Sequence, residues 1–180
     1  MANSHLDAVW VNALLQAVAN CSPEGAAAAT YLRSHRTKIG FQRVRANVGA
    51  LWTPLGNIRL NSRYYSSETP LTDPGLLGLI IHETRHLQHG PVIALSVYGE
   101  LEAWQLDFRV RRRVMQSELP AVILELMSLP LGWDRHVLRT AQGLMRSYAG
   151  KGYRADLLPL YPIHQELIYR VCGKVPASNA

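Results

Sequence analysis

Apolar residues recur at helical spacing over most of this chain, and the exceptions lie together before its middle. Val9, Ala13, Leu14 and Val18 mark one face of an amphipathic helix over residues 8–19. An alanine-rich helix over 26–34 follows Ser22-Pro23-Glu24. The texture then turns extended. Residues 41–45 alternate around Val44 as a strand would, Pro54-Leu55-Gly56-Asn57 reads as a turn, and Ile58-Arg59-Leu60-Asn61 alternates again. After a polar connection at 66–70, helices are predicted over 74–89, over a stretch carrying Val97, Leu101, Trp104 and Phe108, and over 119–129, 133–148 and 163–171. Residues from Pro176 onward read as a frayed tail. The pattern predicts a mostly helical α+β chain, a single domain over 1–180, with a small sheet preceding the helix at 74–89.

That helix is the best punctuated of all. Asp73 offers a capping side chain, Pro74 can occupy a first helical position without needing its N–H, Gly90 suits the residue after the last turn, and Pro91 blocks continuation. Its first half, Leu76-Leu77-Gly78-Leu79-Ile80-Ile81, is apolar on nearly all sides. Such a helix is buried.

Its second half carries His82-Glu83-Thr84-Arg85-His86. Two imidazoles four residues apart stack on one helical face, about 6 Å apart along the axis, and can close on a single ion. Glu83 stands one step round the helix, where a carboxylate can take a proton from water activated by that ion. Zinc in a catalytic site wants three protein ligands and an open position. His89 lies about 10.5 Å along the axis from His82, beyond an ion clasped between His82 and His86, and reads as a helix-end group favouring the negative end of the dipole. The third ligand is expected to be Glu102, beside the apolar stripe of the next helix, with Glu100 the weaker substitute because it falls further from that stripe. The Gly90-Pro91 break lets the second helix fold back alongside the first.

With these residues the chain resembles the gluzincin metallopeptidases, whose His-Glu-x-x-His is followed one helix later by a zinc-binding glutamate. The resemblance covers residues 57 to about 108, and the small size suggests the minimal gluzincins. It implies a zincin-like fold, Zn²⁺ bound by His82, His86 and Glu102, and Glu83 as catalytic base. It also implies an edge strand along the cleft, for which Arg59-Leu60-Asn61 is the candidate rim. Gluzincins commonly add an aspartate after the ligand glutamate to hold a zinc-bound histidine. Here Trp104 and Leu106 fill the expected positions, Asp107 comes one place late, and Gln105 is a possible stand-in. The expected function is zinc-dependent peptide hydrolysis. The alternatives are a non-catalytic or latent zinc-bearing regulatory module and hydrolysis of a non-peptide amide. An oxyanion donor should come from the C-terminal half, with Tyr153, His136 and His164 as candidates. Cys172 and His164 on the last helix offer a possible latent state in which that helix fills the fourth zinc position; the plainer expectation is that Ile163, Leu167, Ile168 and Val171 pack it onto the core.

Composition changes this picture little. The 180 residues are 48% hydrophobic, enough for a substantial core. No apolar run approaches a membrane span, and the segment before Ala8 lacks the basic character of a secretion signal. Cys21 and Cys172 make no disulfide framework, so a cytoplasmic setting is expected. The formal charge of +6 invites nucleic acid. The obvious cluster, Arg109, Arg111, Arg112 and Arg113, reads instead as a solvated helix end with an Asp107–Arg111 pair, and no nucleic-acid-binding motif supports such a partner. A peptide or protein substrate, with some preference for acidic partners, is the expectation.

Overall fold

The computed structural model describes residues 8–115, 117–150 and 152–174; the segment before Ala8 and the tail from Pro176 lie outside the described residues. The fold is mostly helical with one three-stranded sheet. Helices α1 (Ala8–Cys21) and α2 (Pro23–Ser34) form an N-terminal pair. Ser22 caps α2, its hydroxyl accepting from the Gly25 N–H at 2.9 Å, so α2 starts earlier than the alanine run implied.

Strands β1 (Ile39–Gln42), β2 (Ala50–Trp52) and β3 (Ile58–Asn61) follow. The order is β1-β3-β2, with β1 parallel and β2 antiparallel to β3. The turn at 54–57 closes the β2–β3 hairpin, the Thr53 N–H donating to the Asn57 carbonyl. Two expectations are corrected here. β1 begins two residues before the predicted strand and ends at Gln42, because Arg43 onward is drawn into a loop gathered by Asn61. Arg59-Leu60-Asn61 is not a rim: β3 is the central strand, and the edge strand on its side away from β1 is β2. With only three residues, β2 is too short for alternation to reveal it.

Helix α3 (Pro74–Ala94) begins as predicted, Asp73 accepting from the Leu76 N–H at 2.7 Å with Pro74 in the first turn. Gly90 (φ 67°, ψ 171°) breaks it, and a short turn from Pro91 leads into α4 (Val97–Met115). The predicted stripe of Val97, Leu101, Trp104 and Phe108 is buried. Helices α5 (Ala121–Ser128) and α6 (Arg135–Ala149), a short 3-10 turn (Ala155–Leu157) and α7 (Ile163–Cys172) complete the fold, with α6 running from the Asp134 cap to Gly150 as its sequence signals indicated.

Two hydrophobic clusters flank the α3–α4 pair. One joins α1, α2 and the sheet to the first half of α3 through Leu14, Leu32, Ile58, Leu60, Leu76 and Ile80. The other joins α4 to α5 and α6 through Leu101, Phe108, Ile123, Leu126, Leu138 and Met145. The pair is thus held from both sides, which fixes the rotation of each helix about its axis. Helix α7 departs from expectation. None of its residues is buried, and Leu167 and Val171 are 60% and 84% exposed, so it does not pack onto the core through the predicted residues. No described helix is long and apolar enough to cross a membrane, and both cysteines are free.

Candidate metal centre

His82, Glu83 and His86 sit where α3 passes between the sheet and α4, all three less than a tenth exposed. The two histidine Nε2 atoms face one another at 3.0 Å. The carboxylate that joins them is Glu100: Oε1 lies 3.3 Å from His86 Nε2, and Oε2 lies 3.8 Å from His82 Nε2. Among the described residues these three make the one group with metal-ligand geometry.

Glu102, expected in that role, lies elsewhere. It accepts from Arg85 Nε at 3.0 Å and also from Arg85 Nη2, and its Oε2 is 3.0 Å from His89 Nε2. The cause is helical phase. Residues two apart point about 200° apart. Glu100, Trp104, Asp107 and Arg111, at spacings of four, three and four, share the face of α4 that looks onto the centre, while Glu102 crosses to the flank where Arg85 and His89 emerge from α3. His89 is accordingly part of that ion cluster and not of the metal group.

Glu100 is held by aromatic donors. Tyr153 Oη donates to Oε2 at 2.5 Å, and Trp104 Nε1 is shared between Oε2 at 3.2 Å and Tyr153 Oη at 2.9 Å. The position where an aspartate was looked for therefore serves the ligand carboxylate instead. Gln105 donates to the carbonyls of Leu126 and Leu129, tying α4 to α5, and Asp107 is bound by Arg111, so neither supports a histidine. Nδ1 of His86 has no hydrogen bond; that of His82 has none of ordinary geometry, although the Ala103 carbonyl is close enough to favour its protonated form. Of the three oxyanion candidates, only Tyr153 reaches the centre; His136 and His164 are exposed and lie outside the cavity described below. Cys172 is exposed and also outside it, so α7 does not fill the site.

Charge in the cluster is uneven. Burial pushes the His82 pKa down to about 3, helped by its neighbour His86, leaving a neutral imidazole with a free lone pair. Burial also works against a charged His86, but the charge and hydrogen bond of Glu100 outweigh it and hold its pKa above the usual histidine range. Burial would raise Glu100, yet His86, His82 and the Tyr153 hydrogen bond bring it to about 2. Glu83, with burial dominant and Glu100 adding repulsion against the opposing pull of His86, is raised to about 7. One buried carboxylate is thus held ionised while its neighbour is poised near neutrality. Separated acid strengths of this kind favour a proton-transfer role for the second group.

A cavity of about 410 Å³ opens on the group. Its floor is His82, Glu83, His86 and Glu100, one wall is β2 with the loop before it (Asn47 to Trp52), and the far end holds Tyr65, Asp107, Phe108, Arg111 and Tyr148. The Trp52 backbone donates toward Glu83 and lowers its pKa slightly, so the edge strand touches the chemical centre. Arg111 is not the solvated residue its sequence context suggested. It pairs with Asp107 at 2.5 and 2.8 Å and lies over the Phe108 ring at 5.0 Å.

The donor set fits a divalent metal. Ligand atoms 2.0–2.1 Å from a tetrahedral zinc stand roughly 3.3 Å from one another, close to the 3.0, 3.3 and 3.8 Å observed between His82, His86 and Glu100. Two ring nitrogens at 3.0 Å also need a proton or a cation between their lone pairs. The chain matches no family model, no curated protein and no solved structure.

Proposed function

We propose that this chain is a zinc-dependent metallopeptidase of gluzincin type with a zincin-like fold, in which His82, His86 and Glu100 hold the ion and Glu83 is the general base. The observation that carries this reading is the conjunction of three metal-ligand side chains with a buried Glu83 in the lining of one open cavity. A metal used only to tie two helices together needs neither the cavity nor the base.

A zinc ion held by His82, His86 and Glu100 would supply Lewis acidity toward a carbonyl and would acidify water. The protein supplies the rest. Glu83 accepts the proton of the attacking water on its carboxylate and returns it to the departing amine nitrogen. Tyr153 and Trp104 orient Glu100 by holding Oε2. Apart from the Trp52 N–H turned toward Glu83, the outer edge of β2 offers its backbone groups to an extended chain, which favours a peptide over a small amide.

The test is a digest of a mixed peptide library by zinc-loaded protein. Cleavage that stops with chelator, returns with zinc and falls by roughly 10² to 10⁴-fold in Glu83→Gln with zinc still bound is the expected result. Equal turnover by parent and variant would remove Glu83 from the mechanism. Stoichiometric zinc with no cleavage of any library member would favour the regulatory module.

A further inference from the structure

Between Glu24 and Glu68 the chain has no acidic residue, while it carries Arg33, Arg36, Lys38, Arg43, Arg45, Arg59 and Arg63. This stretch includes the whole sheet. None of the last six makes an ion pair among the described residues, whose Lys/Arg ion pairs all fall on Arg85, Arg111, Arg113, Arg154 and Arg170; other cations on the helical side are also unpaired, but there acidic residues are interspersed with them. The excess positive charge therefore has a place. It collects around the sheet and is not balanced there.

The fold draws three of these cations to one corner. β1 and β3 run parallel, so Arg43 and Arg63 leave the sheet at the same end. The buried amide of Asn61 gathers the loops that follow: Nδ2 donates to the Arg45 carbonyl at 3.0 Å and the Val48 carbonyl at 2.6 Å, and Oδ1 accepts from the Arg63 N–H at 3.1 Å. Arg43, Arg45 and Arg63 are all exposed there. Arg59 extends the charge across the sheet. Its Nη1 lies 2.5 Å from the point where a Cβ on Gly40 would stand, so it lies flat over β1 because that position has no side chain. Beyond the opposite end of the strands, Arg36 and Lys38 line a separate recess with Asn57.

The same loop leads to the catalytic cavity. Asn47, two residues after Arg45, is on the cavity wall, and β2 follows as its edge. We infer that the Arg43–Arg45–Arg63 corner, continued by Arg59, is an exosite that binds an acidic stretch of a polypeptide substrate lying outside the cleaved segment. The choice of polypeptide rests on the peptidase reading; the complementary charge does not. A chain aligned on the free edge of β2 runs toward this corner, where carboxylates meet unpaired guanidinium groups. Long-range attraction of this kind raises encounter rate and local concentration, and salt weakens it.

Binding is measured without catalysis, so its failure and that of the peptidase assignment are distinguishable. Labelled oligoglutamate, oligoglutamine and a single-stranded oligonucleotide of equal charge are titrated with the full chain and followed by anisotropy at two salt concentrations. The expected result is salt-sensitive binding of oligoglutamate, none of oligoglutamine, and a loss of roughly tenfold or more when Arg43, Arg45 and Arg63 are replaced by glutamate. Neutral replacement of the same three by glutamine, checked for fold by circular dichroism, should give a smaller loss in the same direction. Arg109→Glu, Arg112→Glu and Arg113→Glu together change the net charge equally and should leave binding within about twofold. No binding of oligoglutamate, an equal loss in this control, or tighter binding of the oligonucleotide would overturn the proposal.

Discussion

The Asp107 carboxylate occupies the space that a side chain at Gly78 would fill, with Oδ1 only 1.9 Å from the position of a Cβ there. This contact sets the register of the two helices that build the metal centre. α4 runs back along α3, and with Asp107 seated on Gly78 the residue two turns earlier, Glu100, reaches His86 and His82. Asp107 cannot give way cheaply, because Arg111 holds both of its oxygens at 2.5 and 2.8 Å. Gly78→Ala is therefore expected to destabilise by about 1–3 kcal/mol despite the better helix propensity of alanine, and to weaken zinc retention along with it. Thermal melts and chelator competition check both effects; a rise in melting temperature would show that the helices are not in tight contact here.

The same contact explains why the sequence revealed one side of the centre and not the other. Both histidines and Glu83 belong to one helix, so their relative placement follows from 3.6 residues per turn and needs no tertiary information. The caps at Asp73 and Asp134 and the breaks at Gly90 and Gly150 marked the ends of α3 and α6 for the same local reason, while the Ser22 cap that starts α2 was passed over for the alanine run that follows it. The third carboxylate depends on how α4 is rotated against α3, which is a tertiary fact. Ranking by nearness to one apolar stripe misled, because α4 is packed on both sides and has two inward faces. The usable signal was the run of Glu100, Trp104, Asp107 and Arg111 at helical spacing, which marks a second, polar inward face. The strand β2 gave no signal at all, since three residues hold no period.

If Glu100 completes the metal group, Glu100→Ala should lose zinc at once while Glu102→Ala keeps it. Glu102 does bind Arg85 and His89 across the two helices, so its variant is expected to melt lower, by the cost of about 1–3 kcal/mol for leaving partly buried partners unpaired. Metal analysis of both variants, purified at a temperature where each is folded, separates the two roles. Zinc retained in Glu100→Ala and lost from Glu102→Ala would restore the expectation drawn from the sequence.

Tyr153 acts on the centre through Glu100. In Tyr153→Phe the ring still packs beside Trp104, and only the hydrogen bond to Oε2 is lost. Trp104 Nε1 then holds that oxygen alone. Zinc affinity is expected to fall by roughly 10 to 100-fold, while stability changes by only about 1 kcal/mol. Competition titration with a chromophoric chelator reads the first quantity and a melt reads the second. Unchanged affinity would assign Tyr153 to packing alone.

Glu83 should leave a mark on the stability of the metal-free protein. Its pKa rises from an ordinary 4.5 to about 7 in the fold, chiefly because burial disfavours the charged form. The folded state therefore holds a proton that the unfolded chain has released, and stability falls as pH rises from 4.5 through 7. The gap corresponds to a loss on the order of 3 kcal/mol, complete above the folded pKa. Glu83→Gln removes the titration without removing the side chain's bulk. After chelation, the melting temperature of the variant relative to the parent should be lowest near pH 4.5, climb as pH approaches 7, and level off beyond it. A difference that stays flat over this range would mean that Glu83 is not raised, and a base of ordinary acidity would then have to be reconciled with so buried a position.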